Sequence, residues 1–397
     1  MKNPSAAQLA ALSARASRVF DGLPPLPRGA DGRLSPEGRE ILSRAARRVL
    51  RQNRAVGAAL VLCAPGGAED ILCFGRARLR PRVPVTERTC FRLASVSKLI
   101  LSFAALSMAQ DGLISLDADV GALLSYPVRH PAHPDARVTL RMLLTHTAAL
   151  SDAGPYARAV QGEALPLRAV LESPESWLSQ RPGADFHYSN LSAGVAGSVL
   201  ERAAGMPLGQ LLRERVFAPL GARAFCDPRE VDVPGDLADG YAVRGPFPPR
   251  LRYDAAALAS RPGDPFDPER DYLAGAGRMI ADARALARLG RLLASHGELG
   301  VLDAASLDEL RAPQDGVGGI ERAERGLNAA FLPGVFPGLS PVGHQGVAYG
   351  MCAELFADPG TGAAVGVMTS GVRLTRTPPL MRAGFDLLAL GFAALRD

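Results

Sequence analysis

Strand-like runs sit at both ends of this chain, with a long helical stretch between them. VGAALVLC (56–63) and ILCFG (71–75) flank APGGAED, a hairpin signal with its turn residues in place. Far downstream, 348–357 and 362–369 read as strands around DPGTG. Between the two pairs the pattern is chiefly helical from 94 to about 275, clearest at 97–110, 139–145 and 190–204, with another helix at 281–294. A sheet begun early and completed late must close across a large insertion, which leaves few architectures. The expected fold class is α/β (α+β): an antiparallel β-sheet flanked by helices, built from 51–95 and 275–397, plus an inserted all-helical domain, 96–274. Residues 5–20 and 36–53 read as helices of an N-terminal extension (1–50), and 377–395 as a closing helix. The loops 146–165 and 225–272 are long for a compact domain, and such loops are often substrate-facing.

Composition narrows the function classes. The 397 residues are 47% hydrophobic, enough for a real core, and the excess of 45 basic over 40 acidic residues is mild and spread along the chain. No basic run suggests a nucleic-acid surface. No apolar run of about 18 residues is present, so no membrane span is expected. The first thirty residues are broken by Gln8, Ser13, Arg15, Ser17 and Arg18, unlike a signal peptide, and the expected location is cytoplasmic. Cys63, Cys73, Cys90, Cys226 and Cys352 are scattered and form no CxxC pair, so neither a disulfide framework nor a metal site is expected, and no organic cofactor.

Lysine occurs only at Lys2 and Lys98, and every other basic residue among the 45 is arginine. A mid-chain lysine in such a background points to a task that arginine cannot perform, namely giving up its proton near neutral pH.

Three short elements carry chemistry. Ser95-Val96-Ser97-Lys98 opens a helix, so Lys98 projects beside Ser95, and an amine held there can accept the serine proton. The bland alternative is an N-cap serine and a surface cation. Pro182-Gly183-Ala184-Asp185-Phe186-His187-Tyr188-Ser189-Asn190 leads into the helix at 190–204. Tyr188 could relay a proton to a leaving group, and the Asn190 amide could hold both a substrate carbonyl and the lysine. Here the alternative is a packed tyrosine followed by an Asn cap. Gly343-His344-Gln345-Gly346-Val347 lies just ahead of AYGMCAELF. Its glycines permit close backbone approach, and the Val347 amide could join that of Ser95 in an oxyanion hole, unless the segment is merely a turn.

In this order the three elements resemble the serine β-lactamase-like, penicillin-binding-protein-like superfamily, in the branch of class C β-lactamases, family VIII esterases and D-stereospecific aminopeptidases. FRLASVSKLI, DGLISLDADVGALL, VTLRMLLTHTAAL, RPGADFHYSN, AGAGRMIADARALARLGRLL and GHQG follow the family's order over about residues 55–395. The resemblance implies acylation of Ser95, Lys98 as its proton partner and Tyr188 as acid/base. Asn190, His344, Gln345, Gly346 and Val347 would form the substrate-binding set, and His146 would be structural. Two departures stand out. Ala148-Ala149 replaces the usual Ser-Gly, suggesting a different loop geometry. His344 replaces a common lysine, which disfavours carboxylate-bearing substrates and hence efficient β-lactamase action. The expected reaction is hydrolysis of a small ester or amide, with peptidase, acyltransferase or β-lactamase activity as rivals. A catalytically silent ligand-binding protein is a rival of another class; self-association through 1–50 is a third alternative, motivated only by the helical pattern of 36–53, and the oligomeric state is left open.

Overall fold

The computed structural model describes residues 6–262, 266–314, 325–377 and 380–396. Residues 1–5 of the expected N-terminal extension, and 378–379 of the expected closing helix, lie outside that set. The chain opens with α1 (Ala6–Gly22) and α2 (Pro36–Gln52). α2 starts at a built cap: Ser35 Oγ accepts the Gly38 N–H, and Pro36 takes a first-turn position where its missing N–H is no loss. Leu42, Ala46 and Leu50 recur on one face and are buried; each leucine so buried is worth about 2 kcal/mol.

The strand runs at the two chain ends meet in one antiparallel sheet. β1 (Gly57–Cys63) and β2 (Glu69–Arg78) form the early hairpin, and β3 (Val342–Ala348), β4 (Met351–Asp358) and β5 (Ala363–Thr369) form the late part. Their order is β2-β1-β5-β4-β3, with Val83–Pro84 at the β2 edge and Ala330–Phe331 at the β3 edge. β1 joins β5 in register from Ala58 opposite Thr369 to Cys63 opposite Ala364. Every β1 residue is buried because both sheet faces are covered. Ala58, Leu60 and Leu62 face the cluster of α1, α2 and the final helix α6, whose range is Arg382–Ala394. Ala59, Val61 and Cys63 face the cluster that includes the inserted helices. A strand covered on both faces needs no polar alternation.

The N-terminal helices are an integral layer of this sandwich. Arg15 grips the buried Asp386 of α6 with Nε and a terminal nitrogen at 2.5 and 2.6 Å, and Arg39 reaches Asp70 of β2 at 2.9 Å. The apolar stripe of 36–53, the motive for a self-association surface, is covered within the chain.

Between the sheet halves run α3 (Val96–Gln110), α4 (Asn190–Ala204) and, just after the insertion, α5 (Ala283–Ala294). The inserted stretch is mainly helical but not wholly so. Ala224–Phe225 pairs with Ile280–Ala281, while Gly240–Ala242 pairs with Arg250–Tyr253 and runs parallel to Gly371–Val372. Runs of two to four residues carry too little periodicity to read as strands. Two further boundaries differ from expectation. Residues 348–357 are not one strand: a two-residue turn at Tyr349-Gly350, both at positive φ (53° and 84°), makes 342–348 a strand of its own. The closing helix begins at Arg382, because Arg376–Thr377 and Leu380–Met381 pair as a small ladder ahead of it. No helix among the described residues is long and apolar enough to cross a membrane.

Candidate active site

Ser95 is delivered by a constrained backbone. Phe91–Arg92 pairs with Ile280–Ala281, and Leu93 N–H is held by Met279 O at 2.8 Å. Ala94 then takes φ +48°, a left-handed conformation that costs an alanine about 1–2 kcal/mol. The turn it makes sets Ser95 at the head of α3 with its hydroxyl free of any capping bond, so Ser95 is not serving as an N-cap side chain. Lys98, one turn on, is fully buried and therefore no surface cation. Its Nζ lies 3.0 Å from Ser95 Oγ, 2.8 Å from Asn190 Oδ1 and 2.5 Å from the Ala276 carbonyl. Three acceptors match the three protons of an ammonium. With one proton gone, the Asn190 and Ala276 contacts persist and the lone pair faces the Ser95 hydroxyl.

Asn190 opens α4, but the cap is its neighbour: Ser189 Oγ accepts the Ser192 N–H. That leaves the Asn190 amide for Lys98, and Asp152 holds it there. One Asp152 oxygen accepts from Ser189 Oγ and Leu191 N, the other from Asn190 N and Nδ2, all at 2.8–2.9 Å. A carboxylate is well placed among the unpaired amides of a helix start. It also orients Asn190 with Nδ2 away from, and Oδ1 toward, the lysine. Asp152→Asn removes an acceptor from this cluster, so the Asn190 amide loses its fixed orientation. Turnover should fall about tenfold to a hundredfold, mostly in kcat, and Tm should also fall because two donors at the start of α4 lose their acceptor; steady-state kinetics beside thermal unfolding check this.

Tyr188 lies on the same side. Lys98 Nζ sits 5.1 Å from its ring centroid, and the Tyr188 hydroxyl is buried with no hydrogen-bond partner among the described residues. The structure thus brings the ring to the lysine without joining the hydroxyl to Lys98 or Ser95. His146, at φ +58°, packs its ring 4.5 Å from that of Tyr188. Its Nδ1 accepts the Ser189 N–H at 3.3 Å, and burial drives its pKa well below the usual histidine range, so it is a neutral strut. Nearby, Ala149 holds φ +58° without the usual glycine, so the loop retains a left-handed turn there.

The third element proves to be a strand edge. Alternation along β3 sends His344 and Gly346 to the α3 side and Gln345 and Val347 to the other. Gly346 is pressed against the nucleophile segment: a Cβ there would fall 2.0 Å from Leu93 O and 2.8 Å from Ser95 N. Opposite Val347, Cys352 gives its N–H to Thr369 Oγ1 at 2.8 Å, away from β3. The pair is therefore of the non-hydrogen-bonded kind, which turns the Val347 N–H outward, into the cleft it lines with Ser95. His344 is buried, and desolvation, reinforced by the nearby Lys98 charge, lowers its pKa to about 3. It is neutral at any working pH.

Gln345 needs correction as a substrate-binding side chain. It points to the opposite face and donates to Glu354 Oε1 at 2.5 Å in a fully buried pair. Burial pushes the Glu354 carboxyl up to about 8, so the folded state holds a proton that the unfolded chain loses near pH 4–5. Stability contributed by that proton is complete below the unfolded pKa and is lost as pH rises through about 8. Thermal unfolding from pH 5 to 9 should show this decline, and Glu354→Gln should flatten it.

The cleft of about 430 Å³ is lined by Ser95, Asn190 and Val347 on one side and by Arg92, Arg278 and Tyr349 beyond. Among the described residues no group of three His, Cys, Asp or Glu side chains is arranged to hold a metal. Sequence reasoning missed Asp152, Ala276, Arg92 and Arg278. Ala276 acts through its carbonyl, which no side-chain pattern reports.

The Beta-lactamase family model matches residues 42–384. The chain belongs to this family. The match begins inside α2, so part of the N-terminal layer falls within the family region. Esterase EstB from Burkholderia gladioli is 32% identical over 68% of this chain and 73% of its own length. Monacolin J acid methylbutanoyltransferase from Aspergillus terreus is 30% identical over 56% of this chain and 60% of its own. Among solved structures, the octameric penicillin-binding protein homologue from Pyrococcus abyssi aligns with TM-score 0.71 at 18% identity, covering 89% of this chain and 77% of that one. D-amino acid amidase from Ochrobactrum anthropi SV3 aligns at 0.66 and 22%, covering 89% and 98%. The mixed helices and antiparallel sheet are those of the β-lactamase and penicillin-binding-protein fold.

Proposed function

We propose that this β-lactamase-fold hydrolase is a serine acyl hydrolase acting on a small ester or amide through an acyl-enzyme on Ser95. The observation that carries the reading is the buried Lys98 Nζ, 3.0 Å from Ser95 Oγ and held by Asn190 and Ala276. Ser95 Oγ attacks the substrate carbonyl carbon as its proton passes to Lys98. Negative charge on the former carbonyl oxygen is taken by the amides of Ser95 and Val347. The Tyr188 hydroxyl, unspent in the resting site, gives its proton to the leaving group and regains one from Lys98. The carbonyl-to-leaving-group bond breaks, and water then attacks the acyl-enzyme with the same groups in reversed roles. These steps call on no metal or organic cofactor.

The esterase named among the relatives and the amidase among the structural neighbours accord with this chemistry. Esters and amides stand ahead of β-lactams because β3 carries a buried, neutral His344 at the position where a lysine ammonium would draw a carboxylate. Turnover of nitrophenyl butyrate, a D-amino-acid nitroanilide and nitrocefin, in wild type and Ser95→Ala, tests the reading. Ser95-dependent ester or amide turnover exceeding that of the lactam is expected. Turnover surviving in Ser95→Ala overturns the proposal, and a clear preference for nitrocefin overturns the ranking.

A further inference from the structure

We propose that the natural substrate carries an anionic oxygen group, a carboxylate or a phosphate, which an arginine-lined groove leading out of the cleft receives; this rests on the acyl-hydrolase reading above. The cleft that holds Ser95 shares Arg92, Arg278 and Tyr349 with a second cavity of about 490 Å³. Around that second cavity stand five arginines, Arg92, Arg229, Arg252, Arg261 and Arg278, against two carboxylates, Asp227 and Asp254.

Both carboxylates are already engaged. Asp227 is gripped by Arg229 through Nε at 2.9 Å and a terminal nitrogen at 2.6 Å, and it also feels Arg278. Asp254 caps the short helix Ala255–Ala259 by accepting the Ala257 N–H. Among the described residues the groove therefore carries more positive than negative side chains, although the chain as a whole is close to balanced, at +5.

The two arginines at the junction are tied to the catalytic backbone. Arg92 stands three residues before Ser95, with its guanidinium carbon 5.2 Å from the Tyr349 ring centroid and 5.5 Å from that of Tyr253. Stacked in this way the fork is held in a fixed plane beside the Tyr253 hydroxyl, and its buried Nε meets no hydrogen-bond partner among the described residues. Arg278 comes two residues after Ala276, whose carbonyl binds Lys98. A guanidinium fork matches the paired oxygens of carboxylate or phosphate, and a concave site lined by one sign of charge concentrates the opposite sign. His344 is buried and neutral and does not line the cleft, whereas Arg92 and Arg278 do, so the positive charge facing a bound substrate comes from these arginines. An ester or amide with its scissile carbonyl at Ser95 and an anionic tail toward Arg278 fits both features.

Two matched ester pairs locate the charge: nitrophenyl hemiglutarate against nitrophenyl butyrate for the acyl side, and 4-carboxyphenyl butyrate against phenyl butyrate for the leaving-group side. Wild type should favour the anionic member of at least one pair by about tenfold in kcat/KM. That preference should shrink as salt rises, because exposed charges are screened over roughly 10 Å at 0.1 M. Arg278→Gln should reduce the anionic-to-neutral ratio, and Arg252→Gln, on the exposed rim, should do so less. Arg92→Gln serves as a third variant if its melting temperature matches wild type. Ser95-dependent turnover in which neither anionic ester is preferred overturns the groove while leaving the hydrolase standing. A preference that Arg278→Gln does not lower, or that salt leaves unchanged, also overturns it. No Ser95-dependent turnover of any ester removes the reading beneath it as well.

Discussion

Lys98→Arg is expected to lower kcat/KM at least a thousandfold although the positive charge is kept. Arginine cannot release a proton in the working pH range, so the acceptor for the Ser95 proton is gone. General-base assistance is typically worth a hundredfold to ten-thousandfold, and here the same group also feeds the proton returned through Tyr188. The guanidinium is larger than the ammonium it replaces in a site with no exposure, so misfit must be separated from loss of the base. Lys98→Ala makes that separation, since it leaves room and removes the amine. It strands the Asn190 and Ala276 oxygens at a cost of about 1–3 kcal/mol each, visible in thermal unfolding. Both variants should be folded at 25 °C and catalytically silent in burst-phase acylation. A folded Lys98→Arg protein with most of its activity would remove Lys98 from the role of base.

Gly346→Ala should be the other severe change, through backbone. The added methyl would lie 2.0 Å from Leu93 O and 2.8 Å from Ser95 N, atoms that cannot rotate away as a side chain can. The β3 edge must retreat, carrying the Val347 amide away from Ser95. Loss of one oxyanion donor costs about a hundredfold to a thousandfold in kcat. Overpacking should also lower stability by about 1–3 kcal/mol. Gly22→Ala, where a Cβ meets nothing within 4 Å, is the comparison that should leave both quantities near wild type. Near-normal kcat in Gly346→Ala would show that the strand edge does not supply the oxyanion site.

How much of this was legible in the sequence depended on how far each feature reached along the chain. α2 and α3 were readable within a residue or two, because a cap and a long apolar run mark them. The sheet's closure across the insertion followed from strand runs at both chain ends. Lys98 stood out because lysine is almost absent elsewhere. Short strands such as Gly240–Ala242 were invisible, since their partners at 371–372 are distant and their own length holds no period. Gln345 was placed in the cleft because the resemblance carries over the whole GHQG motif without regard to which face of the strand each side chain takes. Read as a strand, alternation would have turned its side chain away from His344 and Gly346. Asp152 carries no motif of its own; it matters because the fold lays its carboxylate across the start of α4. The arginine groove was hidden by abundance: 43 arginines offer no reason to single out Arg92 or Arg278 until the fold sets them around one cavity.

The most direct test of the central claim is the intact-protein mass after exposure to a fluorophosphonate probe, for wild type beside Ser95→Ala. One probe adduct on wild type, mapped to the peptide containing Ser95 and absent from Ser95→Ala, is the result expected of a nucleophile activated by Lys98. A folded wild-type protein that takes up no probe, or an adduct that persists in Ser95→Ala, would contradict it.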